Sequence, residues 1–222
     1  MSAISAFRSL TSLNFMSFTL HRLKKRLAAL VSYTADWALF IGIVLLLGLG
    51  SSWYMVEKGS ALTTVTSGPW VSWTSAGRPD ADPYTRAHEA RLGILPLSTE
   101  VSHTFIARTD SEGRTLHSSC DYAVEGREIA NFWWSLTVFD ADGRLIPNVL
   151  GRSTFTSDTM AINPDGGYMA TLSRDAHTGN WLPTGGAGRL ALAFTVLDLG
   201  TRAVAQEGEI ERMAPTITRK GC

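Results

Sequence analysis

Five histidines, two cysteines and two adjacent tryptophans are the residues with which this 222-residue chain could do chemistry. Their spacing excludes most of the familiar reactions. His21, His88, His103, His117 and His177 form no H-E-x-x-H run and no close pair of the kind a zinc site needs. No G-x-S-x-G elbow presents a serine nucleophile, and "GRSTF" at 151–155 lacks the glycines and lysine of a phosphate-binding loop. Asp140 and Asp142 superficially resemble part of a calcium loop, without the remaining ligands or the closing Glu. An acid–base site would have to be gathered by the fold, and His103, His117, Asp158 and Asp175 are its first candidates. His103 and His117 flank the turn "DSEG" and would face each other if it closes a hairpin between them. The other available chemistry is recognition. Trp133 and Trp181, with Asn148, Arg152 and Asn180 as polar contacts, would line a groove suited to a sugar or another amphipathic ligand, by stacking and hydrogen bonding. The structural alternative makes "NWLPTGGAG" a corner in which Asn180 satisfies backbone groups.

The elements that must position these residues are short and mostly extended. In "FWWSLTVF", Phe132, Trp134, Leu136 and Val138 fall on one face of a strand, and Trp133, Ser135, Thr137 and Phe139 on the other. The first set is wholly apolar, so Trp134 is core and Trp133 lies on the mixed face. Three turns share one form: "DSEG" at Asp110–Gly113, "DADG" at Asp140–Gly143 and "NPDG" at Asn163–Gly166. An Asp or Asn opens each, where its side chain caps the backbone, and a glycine suited to positive φ closes it. Between them "VSHTFIART", "RTLHSSCDYAV", "RLIPNVL", "GYMATLSR" and "GRLALAFTVLDL" read as strands. Repeated hairpins without intervening helices predict an antiparallel β-sandwich, jelly-roll-like, and so a mainly β fold. One short helix precedes it: Asp82 is a good N-cap, Pro83 sits at the first helical position and Gly93 stands just past the end. His88 reads as a residue on that helix's surface.

Charge is balanced, with 20 Lys+Arg against 20 Asp+Glu, so no overall field favours nucleic acid. Its distribution is polar along the chain. Arg8, Arg22, Lys24, Lys25 and Arg26 precede Asp36 without any acidic residue, and after Val56 acids outnumber bases. Between them lies "WALFIGIVLLLGLGSSWYMV", Trp37 to Val56, 20 residues without a charge and aromatic at both ends. At ~1.5 Å per residue it matches a hydrocarbon core of roughly 30 Å. The basic side is expected to stay inside. The expected organisation is a basic cytoplasmic segment at 1–36, a transmembrane helix at 37–56, a Gly/Ser/Thr-rich juxtamembrane linker at 57–81 and an exterior helix-plus-sandwich domain at 82–222. An uncleaved anchor is expected; cleavage near Gly48 and Gly50 is the alternative. Leu20, Leu23, Leu27 and Leu30 recur at helical spacing among the basic residues, as in an amphipathic helix on anionic lipid or a solvated basic tail. Cys120 and Cys222 both fall on the exterior side, where they can oxidise. A disulfide between them is expected, with two free thiols or a bond between chains as alternatives.

"WWSLTVFDADGRLIPN", "NPDGGYMATLS" and "NWLPTGGAGRLALAFTVLD" resemble the domain of unknown function 1214 family. "ADPYTRAHEARLGILPL" and "APTI" before Cys222 are similar to its short, single-span membrane-anchored members, so the likeness runs over roughly residues 68–222. The resemblance implies a mostly β domain in a Gram-negative bacterium. In longer relatives a similar domain follows a partner domain, no counterpart of which is recognisable here. The sequence departs from the pattern at "FTVLDLG", where an Arg- and Tyr-bearing, Pro-ended strand is more usual. No cofactor or metal is expected. The expected role is ligand binding or scaffolding in the cell envelope: a bacterial inner-membrane protein, N-terminus cytoplasmic, with its C-terminal domain in the periplasm. The lipid bilayer and an envelope glycan or protein are its expected partners, and nucleic acid is not. The alternative is an envelope hydrolase whose active site assembles only in the fold.

Overall fold

The computed structural model describes residues 3–129, 132–198 and 213–222, with side chains at 24–129, 132–197 and 213–222. The side chains of Arg8, Leu20, His21, Arg22 and Leu23, and the end of "FTVLDLG" at Leu199 and Gly200, lie outside the described residues. The chain divides into two compact units, Met1–Tyr54 and Met55–Cys222.

The first unit is helical. Helix α1 (Ala3–Lys58) runs without a break through both the basic segment and the apolar run. Its Lys24–Lys58 portion is long and apolar enough to cross a membrane, and its most apolar stretch has no buried residue. Leu27, Leu30 and most of the apolar residues that follow are exposed. Trp37 meets Tyr33 and Phe40 edge-on along this helix, with ring centroids 6.2 and 5.9 Å away. Apolar surface this long and this bare suits a membrane anchor or a signal sequence.

The second unit is mainly β. Its ten strands, among the described residues, are β1 (Thr64–Ser67), β2 (Trp70–Trp73), β3 (Ser102–Ala107), β4 (Asp121–Arg127), β5 (Phe132–Asp140), β6 (Thr154–Thr156), β7 (Gly167–Ser173), β8 (Asn180–Pro183), β9 (Leu190–Asp198) and β10 (Thr216–Gly221). A six-stranded sheet has the order β1-β2-β3-β9-β5-β6, and a four-stranded sheet the order β10-β4-β7-β8. Their inner faces form one core. Trp134, Leu136, Val138, Phe105, Leu192, Phe194 and Val196 from the first sheet meet Tyr122, Val124, Tyr168, Ala170, Leu172 and Leu182 from the second. Trp134 stacks on Tyr168 at 4.6 Å and lies 5.9 Å from Phe194. Gly126 makes room for that stack, because a Cβ there would collide with the Tyr168 hydroxyl. Each of these large side chains contributes roughly 1.5–3 kcal/mol by leaving water.

The predicted alternation along β5 holds: Trp134, Leu136 and Val138 are fully buried, and Trp133, Ser135 and Thr137 are not. All three turns form, with Gly113, Gly143 and Gly166 at φ 82°, 77° and 77°. Helix α2 (Pro83–Leu92) is capped as its sequence dictates. Asp82 accepts from the Tyr84 and Thr85 backbone N–H groups, and Gly93 ends the helix at φ 65°.

Four features differ from the expectation. The 57–81 segment is more than a linker: α1 extends to Lys58, a Ser60–Thr63 turn follows, and β1 and β2 pair antiparallel before β2 joins β3. Its threonines favour extended backbone, and Trp70 anchors it in the core, 1% exposed, donating Nε1–H to the Pro215 carbonyl at 2.6 Å. "RLIPNVL" forms only a bridge at Leu145 and is otherwise a loop. The "DSEG" turn joins Thr109 to Thr115 locally, after which the chain crosses from one sheet to the other instead of completing a β3–β4 hairpin. Finally, β8 pairs parallel with β7, against an otherwise antiparallel pattern. Their overlap is four residues, so the loop between them needs to retrace only about 10 Å. Pro183, without an N–H, is tolerated because β8 is an edge strand.

Candidate functional site

The outer face of the six-stranded sheet carries the most coherent group of polar side chains. Register places Thr104 of β3 opposite Thr195 of β9, Thr195 opposite Ser135 of β5, and Ser135 opposite Thr156 of β6. Four hydroxyls thus form a row across four adjacent strands, spanning roughly 14 Å at the usual interstrand spacing. Thr104 Oγ1 and Thr195 Oγ1 are 3.2 Å apart, and Thr156 Oγ1 lies 3.1 Å from Thr159 Oγ1 at the end of the row. A second pair, Thr137 and Thr154, lies on the same face with hydroxyls 2.9 Å apart. Ala193, opposite Thr137, keeps the ground between them low. Each hydroxyl both donates and accepts, so the row can match ligand hydroxyls in either sense.

Trp133 borders this row, one position along the same face of β5. Its indole Nε1–H donates to Asp158 Oδ2 at 3.0 Å, which fixes the ring's orientation. A held, half-exposed indole beside hydroxyls is suited to stacking on the apolar face of a sugar. Arg152 extends over the Phe155 ring at 5.6 Å, near the β6 edge.

The other residues of the expected groove serve the backbone. Asn148 donates Nδ2–H bonds to the Ile146 and Arg152 carbonyls, and its Oδ1 accepts from the Leu150 and Arg152 N–H groups. Asn180 accepts from Ala161 N–H and donates to the Ala161 and Met169 carbonyls, tying the loop after β6 to β7. Both amides are engaged by backbone through nitrogen and oxygen alike, which is the structural alternative for Asn180. Trp181 donates Nε1–H to the Ser173 carbonyl at 3.1 Å. It neighbours the core residue Leu182 along β8, so it projects from the outer face of the four-stranded sheet. Trp133 and Trp181 therefore occupy outer faces of different sheets and do not form two walls of one groove.

The acid–base candidates are similarly dispersed. His103 pairs in register with Val196, and His117 bridges to Arg189, so the "DSEG" turn does not bring them face to face. His117 Nδ1 accepts from Ser119 N–H at 3.2 Å, Asp158 is engaged by Trp133, and the Asp175 N–H donates to Ser173 Oγ. Among the described residues no three His, Cys, Asp or Glu side chains form a metal-binding group. An open hollow of about 400 Å³ lies between Asp140, Ile146, Pro147 and Gly185–Ala187. Asp140 is its one carboxylate, and its Oδ1 is already held by the Asp142 and Arg144 N–H groups.

A second polar cluster secures the C-terminus. Asp110, 1% exposed, accepts from the Glu112 and Arg114 N–H groups and from Arg114 Nε, with Arg219 Nε 3.5 Å away. Burial works against its charge, but the Arg114 N–H and guanidinium and the Glu112 N–H outweigh it, holding the carboxyl below its ordinary range. Arg219 also lies over the Tyr122 ring at 5.5 Å. Ser111 and Ile217 exchange two hydrogen bonds, and Cys120 is disulfide-bonded to Cys222, as expected.

The hydroxyl row escaped sequence reasoning. Alternation places each hydroxyl on an outer face, but nothing local says that Thr104 and Thr195 are neighbours.

Comparison with known proteins adds a likeness in fold and to one family, without an activity. No curated protein matches the chain. It is similar to the crystal structure of the VPA0106 protein from Vibrio parahaemolyticus, 24% identical, with a TM-score of 0.53 over 78% of this chain and 42% of that one. An uncharacterised protein from Burkholderia cenocepacia is 16% identical, with a TM-score of 0.43 over 78% and 40%. The chain thus spans about two fifths of the length of these solved structures. A family model described as "Protein of unknown function (DUF1214)" matches residues 101–199, the stretch from the entry to β3 through the end of β9. That stretch is similar to the DUF1214 family, and the likeness extends over somewhat less than half of the chain.

Proposed function

We propose that the chain is a single-pass inner-membrane protein, N-terminus cytoplasmic, whose exterior unit binds hydroxyl-rich glycan of the periplasm on the outer face of its six-stranded sheet. The observation that carries the reading is the row Thr104–Thr195–Ser135–Thr156 beside the oriented Trp133 ring. A shallow hydroxyl surface with one aromatic edge complements an extended polymer better than it encloses a small metabolite. The unburied apolar helix supports membrane attachment, the basic residues before it support the orientation, and the disulfide supports an oxidising exterior. Binding rather than hydrolysis is favoured because the histidines that would supply acid and base sit at separate places in the fold, and Asp158 is held by Trp133.

The test is co-sedimentation of the detergent-solubilised full chain with purified peptidoglycan sacculi, backed by a panel of soluble envelope oligosaccharides. Trp133→Ala and Thr195→Val should each reduce retention about tenfold, the loss expected from removing one stacking or hydroxyl contact. Trp181→Ala, on the other sheet, should bind as the parent does. Equal retention of all four proteins would remove the proposed surface.

A further inference from the structure

The largest group of exposed apolar side chains on the exterior unit lies where α1 ends, and a smaller one, at Leu145, Val149 and Leu150, lies elsewhere. Leu95 is 100% exposed and Leu62 87%, and Leu92, Ile94 and Leu97 are also open to solvent. The segment carrying four of them is not loose chain. The Thr99 N–H donates to the Ala76 carbonyl at 3.1 Å, and Thr99 Oγ1 to the Thr74 carbonyl at 3.2 Å. Gly77, at φ 66°, packs so closely on the backbone of Pro96 and Leu97 that no side chain would fit there. The backbone is thus held inward, and the leucines are held outward.

Contacts within the same unit place this segment beside the last turn of α1. His88 Nδ1–H donates to the Val56 carbonyl at 2.8 Å, and its ring stacks on Trp73 at 4.3 Å. Arg91, one residue before Leu92, pairs with Glu57. Leu62 lies in the turn that follows Lys58 directly, and that turn is tied to β2 by the Thr74 N–H donating to the Thr63 carbonyl. Trp53 and Tyr54 are exposed just before this point, as aromatic residues at a membrane interface are.

We infer that Leu62, Leu92, Ile94, Leu95 and Leu97 form a membrane-seating surface, inserted at the headgroup–acyl boundary of the leaflet from which α1 emerges. The inference rests on the anchoring proposed above and extends it from a helix to a face of the folded unit. Continuity with the apolar helix selects lipid as the occupant. Exposed leucines beside the end of a membrane span reach the interface without a further partner, and neighbouring Lys58 and Arg86 can meet lipid phosphates. Strand register supplies an internal control. Ser102 and Phe132 mark the α1 end of the sheet, and Asp140 the other, roughly 27 Å away along β5. Val149, in the loop beyond that far end, is as bare as Leu95.

The experiment places an environment-sensitive fluorescent amino acid at position 45, 95 or 149 of the full chain, reconstituted into phosphatidylethanolamine/phosphatidylglycerol nanodiscs containing shallow or deep nitroxide-labelled lipid. Position 45 should be quenched by the deep label, position 95 about twofold by the shallow label, and position 149 by neither. Quenching at 45, with 95 behaving as 149 does, would overturn the seating surface and leave the anchor standing; the leucines would then serve a protein partner. Absence of quenching at 45 would overturn the anchor and the seating surface together.

Discussion

The two sheets use their polar residues differently. Around the four-stranded sheet, Asn180, Trp181, Asp110, Ser111 and Arg219 are spent on backbone groups or on one another, and a disulfide closes the end of β10. On the six-stranded sheet, hydroxyls line up across strands, mostly paired with one another but at least partly exposed, and one indole is steadied without being buried. Two tryptophans that look alike in sequence thus have different work. Trp181 closes an architectural corner, and Trp133 edges an open surface. A polar residue whose bonding capacity is filled by backbone has little left for a ligand.

The largest expected effect lies on the fastened side. Replacing Cys120 and Cys222 by serine frees a loop spanning 102 residues, which on the chain-entropy view costs about 4–5 kcal/mol. Thermal unfolding with and without reductant should show it, with hydrogen exchange rising first in β10. Asp110→Asn comes next, at about 2–3 kcal/mol, since it weakens charge-assisted bonds to a buried carboxylate. Because the folded pKa of Asp110 lies below its unfolded value of roughly 3.9, the stabilisation is full above that pH. It disappears as pH falls through the folded value. Parent and variant should therefore converge in stability on acidification below about pH 4, and a constant gap between them would remove Asp110 from the account.

A smaller loss, about 1–3 kcal/mol, is expected for Asn180→Ala, which leaves the Ala161 and Met169 groups unpaired. Urea titration measures it. The core should respond in the other direction. Trp134 Nε1 and Tyr168 Oη are buried without partners among the described residues, and burial raises the Tyr168 pKa. Tyr168→Phe removes one orphan while preserving the stacked ring, so the urea midpoint should stay level or rise, by up to about 1 kcal/mol in stability. A clear loss would show that the hydroxyl has a role the stack does not reveal.

Much of this division was legible before the fold was known. Period-two alternation separated Trp134 from Trp133, and the Asp/Asn-to-Gly spacing located three turns. Asp82, Pro83 and Gly93 bracketed α2. These signals are local, written within a few residues of the structure they specify. The site was not legible, because it depends on pairing between distant segments: Thr104 with Thr195, or Asn180 with Ala161. Composition also misled at 57–81, where glycine, serine and threonine read as a linker. Trp70 gives that hairpin a hold in the core, and only the sheet order shows where.

Stability and binding, measured side by side in Trp133→Ala and Asn180→Ala, test the central distinction most directly. One preparation of each full-length variant serves for both thermal unfolding and sacculus co-sedimentation. The two variants should separate. Trp133→Ala should lose retention while stability changes by less than about 1 kcal/mol, as for one exposed hydrogen bond. Asn180→Ala should melt earlier yet bind normally while folded. Loss of retention in a folded Asn180→Ala protein, or full retention in Trp133→Ala, would contradict the division of labour between the sheets.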